Sequence, residues 1–361
     1  MPIQSTTQKV TDLSPDGSTK FFLLVDILEQ AYKKDEAATV RILDVGGGSR
    51  FLQQQLKTSG LQYELTVLDI IPKPDDIEVP YIHADITDND IPNDSFDVVL
   101  STDVLEHVPE SGKRKFVEEC LRISKDLCII AGPFMTDGVD RAEVIVNDFN
   151  KQLFGSGQDW LEEHLFYGKP RLEMFYDILE AQKIPHHEFG SQSLMTWLLN
   201  THTNLLEAKL GLDTNAHRKL NRQYNRDYLM MNEFQSPTYR QFVVMYKDAA
   251  KQPLVDVTRY TDKGADGDRI SVYVGGLMRL YADRIDRAQD NERRLTEANA
   301  KASDDIARLT ELCKAQERTI EDQSRTLAKL RPLLNVIHSK PVEGVRRLAG
   351  AKKFRSNNDE Q

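Results

Sequence analysis

An acid, a turn of three glycines and two further acids fall at spacings that could do chemistry. The run Val40-Arg-Ile-Leu-Asp44-Val-Gly46-Gly-Gly48 is a short apolar stretch that ends in glycines, with a carboxylate two residues before the first of them. Glycine turns of this kind serve dinucleotides, phosphates and other nucleoside ligands. Two details narrow the choice. Asp44 would repel an anionic pyrophosphate but attracts a ligand that carries an ammonium and a sulfonium group. The third glycine of a G-x-G-x-x-G fingerprint would fall at Phe51, whose bulk disfavours a pyrophosphate against a helix N-terminus. Gly46 and Gly48 let the backbone approach such a ligand closely. Asp69, about 25 residues past the turn and followed by Ile70, can accept both hydroxyls of a ribose. Asp85 can accept from an adenine amino group while Ile86 packs on the ring, and Ser101 faces the same crevice. Taken alone, Asp69 or Asp85 reads as a loop residue closing a strand; in register with the glycine turn they read as a set.

The elements that must position these residues are short and apolar. Ser18 caps a helix bearing Phe21, Phe22, Val25 and Leu28 on one face. Strands are expected at 40–45, 63–70, 81–85, 96–100 and 127–131, with helices at 51–57 and 116–124 between them. Continuous apolar strands separated by helical stretches indicate a parallel sheet covered on both faces. Beyond the fifth strand, 132–170 is mixed in character and holds Trp160 and His164. A helix over 171–183, a strand over 186–190, two helices over 194–231 and a strong last strand, Tyr239-Arg-Gln-Phe-Val-Val-Met-Tyr246, complete the pattern.

In order and spacing, Ile42-Leu-Asp-Val-Gly-Gly-Gly-Ser49, Leu68-Asp69, His83-Ala-Asp85-Ile86 and Ser95-Phe-Asp-Val-Val-Leu-Ser-Thr-Asp-Val-Leu-Glu-His-Val-Pro109 resemble the class I S-adenosylmethionine (SAM)-dependent methyltransferases. The resemblance runs from Ser18 to about Lys247. Arg50 departs from it, standing where the family often has another glycine. It implies an α/β, Rossmann-like doubly wound sheet of seven strands with the last antiparallel, and SAM as cofactor. Cofactor contacts are expected from Asp44, Gly46, Gly48, Asp69, Ile70, Asp85, Ile86 and Ser101. Glu106-His107 has two readings: a pair beside the cofactor, or a helix cap.

A sulfonium is already a good electrophile, so the enzyme has mainly to align the nucleophile and exclude water. An amine or phenolate needs little else, whereas a sugar hydroxyl needs a base in reach. The segment covering the crevice is expected at 134–170, with help from 193–232. Within it, Trp160-Leu-Glu-Glu-His164 pairs an aromatic platform with a histidine, which makes His164 the expected base and His107 and Asp103 the runners-up. Tyr224, Arg222 and Arg226 could meet an anionic substrate, though a solvated helix face is the plainer reading. The histidines show no metal-ligand spacing, so no metal is expected.

The formal net charge of −10 over 361 residues excludes a nucleic-acid grip spread over the surface. Cys120, Cys128 and Cys313 form neither a disulfide framework nor a zinc set, which suits a cytoplasmic protein. The first ten residues lack a signal-peptide core, and no apolar run reaches the ~20 residues of a membrane span. A polar linker is expected at 251–270 after a catalytic domain at 1–250. From there apolar residues recur at heptad spacing: Met278, Tyr281, Ile285, Ala288, Leu295, Ala302, Ile306, Leu309, Cys313, Ile320, Leu327 and Leu330, interrupted at Glu292, Asn299, Gln316 and Gln323. This predicts a coiled coil over 271–331, about 80 Å long from Leu277 to Arg331, with Pro332 ending it and Asn299 favouring a parallel dimer. The tail, 332–361, is basic with interspersed apolar residues and suits an anionic membrane face or an acidic protein partner. The layout resembles methyltransferases of bacterial surface-polysaccharide assembly such as those that cap O-antigen chains. That implies O-methylation of a sugar in a polysaccharide or glycolipid intermediate, by a homo-oligomer at the cytoplasmic membrane face. The rival readings are a methyltransferase for a small metabolite or quinone-type precursor, and an inactive scaffold.

Overall fold

The computed structural model describes residues 13–32, 38–47, 50–75, 77–211, 215–227, 229, 233–261 and 267–339. The chain divides into two compact units, Met1–Tyr281 and Ala282–Gln361. The first is built on a seven-stranded sheet in the order β3-β2-β1-β4-β5-β7-β6. Its strands are β1 (Val40–Val45), β2 (Tyr63–Asp69), β3 (Tyr81–His83), β4 (Phe96–Thr102), β5 (Ser124–Pro133), β6 (His186–Ser193) and β7 (Thr238–Tyr246). β7 runs antiparallel to both β5 and β6, and the other pairings are parallel. The fold is therefore the expected Rossmann-like methyltransferase sheet.

Strand alternation sorts the apolar residues onto two faces. Ile42, Leu127, Ile129, Phe242 and Val244 point to one core, closed by Phe21, Leu24 and Leu28 of α1 (Pro15–Tyr32). Leu43, Val45, Cys128, Ile130, Val243 and Met245 point to the other, closed by Phe116, Val117 and Cys120 of α3 (Glu110–Ile123). Since successive strand residues face opposite ways and both faces are covered, the strands read as unbroken apolar runs. α2 (Arg50–Leu56) follows the glycine turn.

The mixed segment after β5 folds into two helices, α4 (Asp137–Phe154) and α5 (Asp159–Tyr167). Thr136 caps α4 by accepting from the Val139 amide at 3.2 Å. Gly155 stops it at φ 84°. Val139, Ala142, Val146 and Leu161 pack with Leu194, Trp197 and Leu205 of α7 (Leu194–Leu210) and with Tyr239 to form a third core above the sheet. α6 (Leu172–Gln182) lies on the α3 face, and α8 (Asn215–Asp227) follows α7.

The segment expected as a linker is folded where described. Asp248 and Asp256 cap two 3-10 turns, Ala249–Leu254 and Val257–Tyr260. Tyr260 is buried, donates to Asp26 of α1 and accepts from Gln30 Nε2 at 2.8 Å. α9 (Gly267–Ser339) begins inside the first unit: Tyr273 and Leu277 are buried with Tyr224, and the Tyr273 hydroxyl lies 2.8 Å from Asn200 Oδ1 and 2.7 Å from Asn221 Oδ1.

Within the second unit, α9 is exposed on every side from Ile285 to Pro332, and Ile285, Leu295, Ile306, Leu309, Ile320, Leu327 and Leu330 form an exposed stripe. Pro332 does not end the helix, which continues to Ser339. Proline's fixed φ is helical, so its local cost is one backbone hydrogen bond and a clash with the preceding turn. No described helix is long and apolar enough to cross a membrane. Residues 340–361, most of the basic tail, lie outside the described residues.

Candidate active site

The sheet order reverses at β1, and the C-terminal ends of β1 and β4 open the crevice where ligands bind in such folds. β1 ends in Gly46 at φ 67°, a left-handed turn in which a Cβ would come within 2.4 Å of Val104. A Cβ at Gly47 would fall 2.0 Å from the Asp44 carboxylate, which would have to move to admit one. The crevice holds about 310 Å³ and is lined by Gly46, Asp69, Ile70, Asp85, Ile86 and Thr87 on one side. Val104, His107, Val108, Ser111 and Phe116 line the other.

The expected cofactor residues divide accordingly. Gly46, Asp69, Ile70, Asp85 and Ile86 line the crevice. Asp44 and Ser101 are buried behind its wall, the Ser101 hydroxyl without a partner among the described residues. Gly48 lies outside the described residues. Asp69 Oδ1 accepts from the Ile71 amide at 3.1 Å, and Asp85 Oδ1 from Thr87 N and Oγ1, both at 2.8 Å. Each loop thus holds its acid by one oxygen and leaves the other with acceptor capacity. An apolar cavity flanked by two such acids fits a nucleoside, whose ring packs on Ile70 and Ile86 and whose hydroxyls and amino group donate.

Beyond the nucleoside end, a 3-10 turn at Leu105–His107 follows β4 and meets α5. His107 faces the crevice, and its Nδ1 pairs with Glu163 Oε2 at 2.6 Å. His164, the expected base, is only 2% exposed. Its Nδ1 pairs with Glu143 Oε1 at 2.9 Å and its Nε2 faces His107 Nε2 at 3.3 Å. Burial behind His107 removes His164 from direct reach of a substrate, while His107 gains that reach. Glu143 also accepts from the Tyr239 hydroxyl at 2.9 Å and pairs with Lys169 at 2.8 Å. Burial alone would raise the Glu143 carboxyl, but His164 and Lys169 hold it below the usual range. Glu106 is 1% exposed, and its Oε2 has no hydrogen-bond partner among the described residues. Burial, with Asp103 nearby, pushes its carboxyl well up.

Asp103 is no free base. Positioned at φ 56°, it accepts from Arg240 Nε and Nη2 at 2.8 and 2.7 Å and from Lys20 Nζ at 2.8 Å. Burial alone would raise it, but the two cations hold it far below the usual carboxylate range. Arg240 also donates to Asp16 Oδ1 at 2.7 Å and Gln192 Oε1 at 3.0 Å, so one guanidinium ties α1, β4, β6 and β7 together beneath the site. Tyr224 and Arg226 do not line the crevice: Tyr224 is buried and donates to Glu233 Oε1 at 2.7 Å, and Arg226 pairs with Asp227.

Glu143, Glu163, Lys169 and Arg240 escaped the sequence reading, although two signals were present. Arg240 interrupts an apolar strand, and a charge there must find an acid. Glu143 sits four residues after Val139 and three before Val146, on the apolar stripe of α4. No metal set was expected, yet ligand atoms of Glu106, His107 and His164 lie within 4.8 Å of one another.

Residues 43–130 match the family model for a methyltransferase domain. No curated protein sequence matches the chain. Among solved structures, the plantazolicin methyltransferase BpumL, in complex with SAH and a monoazolic desmethylPZN analogue, is similar at 14% identity. That match covers 64% of this chain and 84% of the other, with a TM-score of 0.37. A sarcosine dimethylglycine methyltransferase assignment from Galdieria sulphuraria is similar at 15% identity, covering 64% and 86% with a TM-score of 0.38. A SAM-dependent methyltransferase from Archaeoglobus fulgidus is similar at 15% identity, covering 63% and 96% with a TM-score of 0.36. Likenesses this distant say nothing of a substrate. The segment that matches the methyltransferase-domain model spans the glycine turn, both acids and β4.

Proposed function

We propose that this enzyme transfers the methyl group of SAM to a hydroxyl oxygen, belonging to a sugar in a cell-surface polysaccharide or glycolipid intermediate. The observation that carries the reading is His107 on the crevice wall, held from behind by Glu163 and His164. A hydroxyl must lose its proton as it attacks, and side chains that can promote that loss stand where the crevice leaves the nucleoside end.

When bound, SAM supplies the electrophilic methyl. In this reading the Gly46 backbone admits its methionine part, and the ammonium lies toward Asp44. Asp69 accepts from the ribose, Asp85 from the adenine amino group, and Ile70 and Ile86 hold the ring. Helix α5 packs on the 3-10 turn that carries His107 at the acceptor end. The sugar class draws on the layout, in which a long helix with an exposed heptad stripe accompanies the catalytic unit. That stripe supports homo-oligomerisation, and the basic tail supports a peripheral place on the inner membrane face or on an acidic partner.

The test is to supply methyl-labelled SAM to a lysate with and without the protein. Label is expected in the lipid-linked or polymeric glycan fraction. Label confined to a soluble metabolite would leave the transfer reading standing and remove the glycan.

A further inference from the structure

Two histidines at the acceptor end of the crevice face each other through their Nε2 atoms. His164 Nδ1 points at Glu143 Oε1 at 2.9 Å and His107 Nδ1 at Glu163 Oε2 at 2.6 Å. A carboxylate only accepts, so each Nδ1 must carry the hydrogen, and each neutral ring then presents a bare Nε2 lone pair. Those two Nε2 atoms face each other at 3.3 Å. Two lone pairs at that distance repel unless a proton or a cation stands between them. The buried Glu106 carboxylate is the third neighbour: its Oε1 is 3.9 Å from His164 Nε2, and its Oε2 has no hydrogen-bond partner among the described residues.

From this geometry we propose that Glu106, His107 and His164 bind a divalent transition-metal cation, of the zinc, manganese or iron(II) class, at the acceptor end of the crevice. Resting on the O-methylation reading, it says how the hydroxyl is activated. A cation roughly 2.1 Å from both nitrogens would see them about 105° apart, close to a tetrahedral angle. Two imidazoles and one carboxylate are a donor set for these metals and leave room for an exogenous ligand. Each ligating ring already gives its other nitrogen to a carboxylate, as metal-binding histidines do, and Glu143 is itself fixed by Lys169 and Tyr239. His107 lines the crevice, so the open coordination position lies on the side where the acceptor enters.

The site would work as a Lewis acid. Coordination of the acceptor's hydroxyl oxygen lowers its pKa, so that its O–H bond breaks and the proton leaves to water. The oxygen then forms its bond to the SAM methyl carbon while the carbon–sulfur bond breaks with its electron pair staying on sulfur. The products are the methyl ether and S-adenosylhomocysteine (SAH).

The test is calorimetric titration of Zn2+ into the full-length protein, after EDTA treatment and dialysis, with parallel titrations of SAH. Wild type is expected to bind one Zn2+ per chain. His107→Ala, a half-exposed position, and the isosteric Glu106→Gln should each weaken that event about 100-fold or more, with unchanged circular dichroism. Glu163→Gln, which loosens only the orientation of His107, should cost about 10-fold. SAH should bind equally with and without metal, because its residues lie at the other end. Wild type binding Zn2+ no more tightly than His107→Ala and Glu106→Gln, while still binding SAH, would overturn the metal site and leave the methyltransferase reading intact. Failure of SAH to bind wild type would overturn that reading instead.

Discussion

Asp69, the last residue of β2, and Asp85, just beyond β3, each give one carboxylate oxygen to a nearby amide, so their ligand role separates from their structural one. Asp69→Ala should weaken SAH binding about 10- to 100-fold by calorimetry, the cost of hydrogen bonds to a charged group, with little change in melting temperature. The buried Arg240–Asp103 pair behaves oppositely. Arg240→Met leaves Asp103 with Lys20 alone and strips Asp16 and Gln192 of their guanidinium, and should destabilise the fold by about 3 kcal/mol in urea denaturation. Adding Asp103→Asn should recover part of that loss, since asparagine tolerates the positive φ at this position. These residues were unequally legible. Asp69 and Asp85 could be read because each closes a strand at a fixed distance from the glycine turn. His164 was conspicuous beside Trp160, but not its burial or its neighbours, because Glu143, His107 and Lys169 come from three other segments. Chemistry assembled across such separations leaves no local spacing.

At the scale of elements, the strands were legible because both sheet faces are covered, which makes each strand an unbroken apolar run. The α4 helix was not: Glu143, Asn147 and Asn150 point inward, so the buried face looks polar. The turns between 249 and 260 were hidden by their polar composition, and the two aspartate caps became visible only with Tyr260 docked on α1. The start of α9 carries a test. Heptad counting starts the coiled coil at 271 with Met278 and Tyr281 in its seam, whereas Tyr273 and Leu277 are buried against α7 and α8. A chain ending after Tyr281 should keep its SAH affinity. One ending after Asp268 uncovers Tyr224 and should lose roughly 2–5 kcal/mol of stability by thermal denaturation. If the exposed stripe of the second unit pairs between chains, the full chain should run as a dimer in light scattering and the Tyr281 truncation as a monomer.

For the molecule as a whole, pH should reach stability through Glu233, buried among Tyr224, Thr196 and Ser193. Burial pushes its carboxyl up to about 7, above the 4.5 of an unfolded chain. Between those values the folded state binds the extra proton, so stability is fully present below about 4.5 and falls as pH rises through 7. The loss amounts to about 3 kcal/mol. Glu233→Gln should match wild type near pH 5 and melt at a higher temperature near pH 8; identical profiles for the two proteins would refute the assignment.

Sheet order also bears on synthesis. β7 is the last strand made, yet it lies between β5 and β6 and supplies Arg240 to a cluster begun at Asp16. β5, complete at Pro133, must therefore wait more than a hundred residues for its antiparallel partner. At ribosomal speed that is roughly 5–20 s during which a ten-residue apolar strand presents an open edge. Nascent chains stalled before Thr238 should be the ones that chaperones hold and that aggregate when released, whereas those stalled beyond Tyr260 should already resist protease.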